Sequence, residues 1–382
     1  MRDKELEMAK YLRKAVATKK KSPSNRRVLV GLDGFIDEIV HVVDTREDHK
    51  NYRRMAEMKD FAGRIASFAG KSGNIEFVTK RIKIGGNGPI MANAMAELGA
   101  FVTYIGNLGY PNVNQVFREL EQKADIITLA ETCHTDAVEF EDGKIMIGKM
   151  DTLDQVNWDR IIKVAGREKI TDLLDASHLL ALVNWTMLPH MSDIWEKIIE
   201  EICPNIFPDQ RRYVFFDLAD PQKRTVEDKK RMLDLVSRFS KYYRVIFGLN
   251  GRESFQIAEV LGVDVDRDAD GAYETVCAAI SEKLGIYSTV VHPVEFAVTT
   301  VEGVTYKQEG PHTSHPVITT GAGDHFNAAF TLGMTLDMPP QTCLFMGVCN
   351  SGYYVMTGKT PGISELIEFM ETWRDDPFGK LS

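Results

Sequence analysis

The hexapeptide Thr319-Thr320-Gly321-Ala322-Gly323-Asp324 is followed by Phe326, Ala329, Phe330 and Gly333 at helical spacing, so a glycine-bearing turn leads straight into an amphipathic helix. The first amides of a helix have no partner within it, and the helix dipole favours negative charge there. Small residues let an anion come close to that backbone. A carboxylate at the same point repels a phosphate, so its presence has to be explained by a second task. Asp324 can take the proton of an attacking hydroxyl while the amides of Gly321, Ala322 and Gly323 hold the phosphoryl group being transferred. The competing explanation is an ordinary helix cap, for which Asp and Gly are favoured residues.

Three further groups have the chemistry to serve such a transfer. Asp33 and Asp37 in GLDGFIDEIV lie just past a buried strand, where open α/β sheets bind ligands, and a carboxylate accepts two hydroxyls of a polyol. Gly85-Gly86-Asn87-Gly88 joins a strand to a helix that ends at Glu97-Leu98-Gly99-Ala100. Asn250-Gly251-Arg252-Glu253 follows another strand; its Asn/Glu spacing fits a helix cap, and its oxygens also suit a hard cation held through water. Lys359-Thr360 lacks the glycine at position 353 that a Walker A loop requires.

Taken in order, these stretches resemble the ribokinase (PfkB) family of carbohydrate and nucleoside kinases, over residues 28 to about 365. The resemblance implies a phosphotransferase with an alcohol group as acceptor. Asp324 would be the catalytic base and the 321–323 backbone the anion hole. Asp33, Asp37, Gly85, Gly86 and Asn87 would bind the acceptor. Asn250, Glu253, Thr320 and Asn350 would bind the nucleotide, with Mg²⁺ held by Glu253 and Asn250, through water. Asp220-Pro221 with Arg224, near Asp217, and the turn 357–362 loosely match further family features. ATP is the expected donor and a sugar, sugar acid, sugar phosphate or nucleoside the expected acceptor. A non-catalytic binding protein on the same fold and an ADP-dependent sugar kinase are the alternatives.

The chain also departs from the family pattern. Ile90 stands where the family usually has a sugar-binding asparagine. Ile318 replaces an aspartate that helps bind a monovalent cation, which counts against K⁺ as a cofactor. The nucleotide loop around residues 290–296 has no glycine, and His292 there reads as a loop residue or as a phosphate contact.

Elements positioning these groups follow from periodicity. Helices are expected over residues 1–20, 52–69, 158–174, 191–202 and 226–239, and strands over 28–30, 75–84, 101–105, 178–183, 213–216 and 244–247. This alternation predicts an α/β, doubly wound and mostly parallel sheet flanked by helices, and the resemblance implies that it is ribokinase-like. The half-exposed stretches 36–43, 75–84 and 134–149, with Asp142-Gly143 as a hairpin turn, predict a small antiparallel β lid. The organisation expected is a helical extension over 1–27 and a kinase domain over 28–382. Of 382 residues 44% are hydrophobic, enough for a large core, and 46 basic against 55 acidic residues argue against nucleic acid as a partner. Five cysteines without a C-x-x-C pair read as reduced core thiols. With no apolar run of membrane length, no membrane partner and a cytoplasmic location are expected. Exposed lid edges predict a homodimer formed lid on lid.

Overall fold

The computed structural model describes residues 2–206 and 212–380, and the statements below concern these. The strands are β1 (Arg27–Leu32), β2 (Phe35–Arg46), β3 (Tyr52–Arg54), β4 (Phe77–Gly85), β5 (Phe101–Gly106), β6 (Ala124–Thr128), β7 (Cys133–Glu139), β8 (Lys144–Lys149), β9 (Leu179–Leu182), β10 (Tyr213–Asp217), β11 (Arg244–Asn250), β12 (Ser288–His292), β13 (Phe296–Val301) and β14 (Val304–Glu309). The helices are α1 (Arg2–Val16), α2 (Met58–Ser67), α3 (Asn87–Glu97), α4 (Arg118–Glu121), α5 (Trp158–Ala165), α6 (Arg167–Ala176), α7 (Met191–Lys197), α8 (Val226–Phe239), α9 (Gly251–Val260), α10 (Ala272–Leu284), α11 (Ala322–Thr335), α12 (Pro340–Thr357) and α13 (Ile363–Thr372).

Nine strands form one sheet in the order β14-β13-β12-β11-β10-β9-β1-β5-β6, parallel from β12 to β6. The central strands are nearly all apolar because helices cover both faces. Alternate residues of β1 serve the two faces: Val28 and Val30 join the core under α1, α3, α11 and α12, whereas Leu29 joins the core under α7 and α8. The expected doubly wound sheet is therefore present. The antiparallel strands β13 and β14 and the parallel strands β6 and β12 were not anticipated; β12 and its turn into β13 occupy the stretch 290–296 read as a nucleotide loop.

The chain runs outward from β1 to β5 and β6, then crosses to β9 on the other side of β1. The order reverses between β1 and β9, which is where such sheets open a crevice at their carboxyl ends. Asp33 and Asn184 follow these two strands and meet there, Asn184 Nδ2 donating to Asp33 Oδ2 at 2.6 Å.

A separate, smaller sheet of β2, β3, β4, β7 and β8 rises above that crevice. It is antiparallel at β2–β4 and β7–β8, as expected, but β2 and β7 are parallel. The chain leaves this sheet through the body, by α3, β5 and β6, before returning as β7, and so a hairpin does not dictate the direction. Helix formation expected from residue 52 begins only at Met58, because β3 pairs with the end of β2. The helix expected over 158–174 is split at Gly166, whose φ of 83° starts a new helix. Helix α1 is integral to the body: Ala9, Leu12 and Ala15 are buried, Arg13 meets Glu371 at 2.8 Å, and buried Glu5 holds Arg374 through both of its oxygens. All five cysteines are buried and unpaired with one another.

Candidate active site

Two helix amino termini converge above the crevice. Helix α3 starts after Gly86, at φ 88°, and α11 starts after Gly321, at φ 96°; both are left-handed positions that favour glycine. The amides of Asn87 and Gly88 donate to Asp33, at 3.0 and 2.8 Å, so Asp33 serves as the remote cap of α3. Asp33 is fully buried, and burial pushes its carboxyl up to about 6 against the pull of Asn184 and these two amides. Tyr104 OH donates to the Asp33 carbonyl.

Asn87 turns its side chain the other way. Its Nδ2 donates to Asp324 Oδ1 at 2.9 Å, joining α3 to the first turn of α11. Asp324 is buried, and burial pushes its carboxyl up to about 8; Asp33 and Asp37 act in the same direction, while Asn87 and Lys83 oppose them. A carboxyl in that range is matched to proton transfer near neutral pH.

The turn before Asp324 is pinned from behind. His325 Nδ1 bonds the Gly321 carbonyl at 2.7 Å, and its Nε2 lies 2.9 Å from Thr360 Oγ1. A carbonyl only accepts, so Nδ1 carries the proton; with burial pushing this imidazole down to about 4, Nε2 accepts from Thr360. The ring stacks on Tyr354 at 3.7 Å, and Tyr354 OH donates to the Thr320 carbonyl at 3.1 Å. Asn350 donates to the His325 carbonyl at 2.7 Å and is fully buried between α11 and α12, so its side chain backs the turn and does not open onto the crevice. Ile90 is packed against Gly321: a Cβ at Gly321 would lie 3.2 Å from Ile90 Cγ2. The family's asparagine is thus replaced by an apolar wedge between α3 and the turn. His292 is no bystander. Its ring lies against Gly323 and Phe326, its Nε2 is buried without a partner, and burial pushes it down to about 4.

From above, the lid supplies Asp37, Lys83 and Lys144. The register sets Asp37 opposite Lys83 on β4 and Thr135 on β7, all on the face turned to the crevice. Asp37 and Lys83 stand 3.8 Å apart, and a Cβ at Gly85 would collide with the Asp37 carboxylate. Lys144 donates to the Thr320 hydroxyl. Between this face and residues 316–320 lies a cavity of about 380 Å³ lined by Asp37, Arg81, Lys83, Lys144 and Thr320 among others.

On the other side of Asp324, Asn250 and Glu253 form a reciprocal cap on α9: Asn250 Oδ1 accepts from the Arg252 and Glu253 amides, and Glu253 Oε2 accepts from the Asn250 amide. Glu253 Oε1 accepts from the Asp220 amide at 2.8 Å. Asp217 is buried, accepts from the Asn327 side-chain amide at 3.0 Å, and lies in the field of Glu253 and Asp324. Burial raises both Asp217 and Glu253, and their mutual repulsion adds to this for Asp217. Poorly solvated carboxylates within one another's field offer the hard oxygens that a divalent cation such as Mg²⁺ takes. Arg224 is committed to the carbonyls of Thr186 and Leu188.

The structure thus brings together Asp33, Asp37, Gly85, Gly86, Asn87, Gly321, Ala322, Gly323, Asp324 and Thr320, with Asn250 and Glu253 at one flank and Asn350 behind the turn. Lys83, Lys144, Asn184 and His325 were missed, since each has its meaning only through a partner distant in sequence.

Residues 7–373 match the family model of prokaryotic ketohexokinase. A ketohexokinase of Haloferax volcanii is 30% identical over 354 residues, covering 91% of this chain and 92% of that protein. Arabidopsis thaliana ribokinase, solved with ribose and ATP, superposes with a TM-score of 0.63 at 15% identity, over 90% of this chain and 98% of that one. Escherichia coli phosphofructokinase-2 gives 0.61 at 14% identity, over 91% and 98%. The fold is that of these kinases, and the whole-length sequence match is specific. The chain belongs to the prokaryotic ketohexokinase family and is a carbohydrate kinase of the ribokinase type.

Proposed function

We propose that the chain transfers the γ-phosphoryl group of ATP to a hydroxyl of a ketohexose. The observation that carries this reading is the buried Asp324 at the start of α11, bonded by Asn87 from the acceptor-side helix and lying in the field of Lys83 on the lid. Asp37, Gly85 and Gly86 bind and orient the acceptor, and Asp33 fixes the turn that presents Asn87. Asp324 takes the hydroxyl proton as the oxygen attacks phosphorus. The amides of Gly321, Ala322 and Gly323 receive the charge on the transferred group, and Thr320 borders the nucleotide phosphates. Asp217, Glu253 and Asn250 would hold Mg²⁺, directly or through its waters, and the ion would neutralise charge on the phosphates. The lid excludes water and so limits hydrolysis of the nucleotide. ATP supply makes the cell interior the place of action; among the described residues no helix is long and apolar enough to cross a membrane.

The test is product formation by the purified protein with Mg²⁺, supplied first with ATP and then with ADP, against ketohexoses, aldohexoses and nucleosides. A sugar phosphate formed from a ketohexose with ATP is expected. Turnover with ADP alone would make the chain an ADP-dependent kinase. A ligand that raises the melting temperature with no product under either donor would make it a binding protein.

Glu253→Gln is expected to raise the Mg²⁺ concentration for half-maximal rate roughly tenfold, as a charged partner is worth on the order of 1.5–3 kcal/mol. An unchanged Mg²⁺ dependence would leave the pair as a helix cap only.

A second copy is the proposed partner of the lid. Ile82 and Ile147, 55% and 41% exposed, share its outer face. Light scattering is expected to give twice the chain mass of 43.0 kDa, and Ile82→Glu to halve it. A wild-type mass of one chain at micromolar concentration would sink the lid-on-lid dimer.

A further inference from the structure

Lys83 has an enclosed Nζ with no hydrogen-bond acceptor. Its nearest carboxylate oxygen, Asp37 Oδ2, is 3.8 Å away, too far for a hydrogen bond. Burying an ammonium with its donors unmatched is costly, and a residue kept that way has an acceptor still to come. The geometry around it says what that acceptor is. The β2–β4 register turns Lys83 inward with Arg81, and β8 adds Lys144 from the far edge of the lid, in contact with Thr320. Three cations thus face the stretch 316–320, which leads directly into the 321–323 turn, against Asp37 and Glu139 on the same lid surface. That is a site for an anion lying between the lid and the amides of Gly321, Ala322 and Gly323.

We infer that Lys83 is a catalytic residue of the phosphoryl transfer, its ammonium donating to the non-bridging oxygens of the moving group from the lid side. The inference rests on the kinase reading above. In the step, the acceptor oxygen bonds to phosphorus as its proton passes to Asp324. The bond from phosphorus to the bridging oxygen breaks, and its electron pair leaves on ADP. Lys83 keeps its protons throughout and neutralises charge that the amides meet from the opposite side.

The groups facing Lys83 and Asp324 are Asp33 past β1, Asp37 on β2, Arg81 on β4, Lys144 on β8, His325 on α11 and Tyr354 on α12. Burial lowers the Lys83 amine; Asp37 opposes this, Lys144 and Arg81 add to it, and Asp324 opposes it.

The test compares wild type, Lys83→Met, Lys83→Arg and Lys83→Ala with ATP and the acceptor. Lys83→Met is expected to lower kcat by about a hundredfold or more, the usual cost of losing one donor to developing charge. KM for either substrate should change much less, and the melting temperature should not fall, since an unmatched buried charge is removed. The acidic limb of the rate profile should move to higher pH, because Asp324 loses a nearby cation. Lys83→Arg should retain part of the rate, and ethylammonium should restore part of it to Lys83→Ala. An unchanged kcat would overturn the inference. So would a loss confined to acceptor KM with the pH limb unmoved, since Lys83 would then only order Asp37. If wild type itself turns over no sugar with ATP, the kinase reading falls first; wild-type turnover matched by Lys83→Met defeats this inference alone.

Discussion

Asp324→Asn is expected to lower kcat by about two to four orders of magnitude, the range typical for loss of a general base. Nucleotide affinity and the fold should survive, because the asparagine Oδ1 still accepts the Asn87 amide now held at 2.9 Å. In wild type, kcat/KM should rise with pH up to about 8, where burial sets this carboxyl, and then level off. The residual rate of the variant should lack that limb. The same group governs stability with the opposite sense. The unfolded chain releases the proton in the ordinary aspartate range, near 3.8, whereas the folded protein keeps it to about 8. The folded state therefore binds more protons across that window, and stability falls as pH rises through it. Asp324→Asn should melt above wild type at pH 9 and equal to it below pH 4. Steady-state kinetics and thermal melts at both pH values check this; wild-type kcat in the variant would remove Asp324 from the role of base.

The second large effect separates the two acidic residues past β1. Asp33→Ala should cost at least about 3 kcal/mol of stability. It strands three buried donors, the Asn87 and Gly88 amides and Asn184 Nδ2, at about 1 kcal/mol or more each. The first turn of α3 would then be free to move, and with it the amide that touches Asp324, so kcat should fall as well. Asp37→Ala should behave differently. Its carboxylate accepts no hydrogen bond within the lid sheet and stands at the cavity, 3.8 Å from Lys83. Stability should be close to wild type, while kcat/KM for the acceptor falls roughly ten- to a hundredfold, about 1–3 kcal/mol for an unpaired substrate hydroxyl. Nucleotide affinity should hardly change. Chemical denaturation alongside kinetics for both variants decides the matter: a stable, inactive Asp33→Ala with a silent Asp37→Ala would reverse the assignment, and two silent variants would move the acceptor elsewhere.

Much of this molecule is written in local pattern. Glycine before a helix, with Asp three residues on, specifies a left-handed turn and exposed amides by steric and dipole rules that need no other part of the chain; the 319–324 turn was therefore legible. Apolar runs of strand length identified the buried parallel strands β1, β5, β9, β10 and β11 for the same reason, while the helix expected over 1–20 ends at Val16 and gives way to a single tight turn over Lys19–Lys21 before Ser22-Pro23. The Asn250 and Glu253 spacing specified a cap, and a cap is what forms. Weak local signals failed where pairing decided the outcome: β3 extends by its register with β2, and β13 and β14 form because each pairs antiparallel with the strand before it. What only the tertiary structure decided is which polar groups share a space. Asn87 and Asp324 are 237 positions apart, Asn184 and Asp33 are 151 apart, and Lys144 reaches Thr320 across 176. Lys83 carries no mark in its own neighbourhood, since a lysine in a half-exposed strand is ordinarily a solvated one. It becomes an enclosed charge because a strand has two faces and the lid register turns this one inward, over a turn the chain lays down more than two hundred residues later.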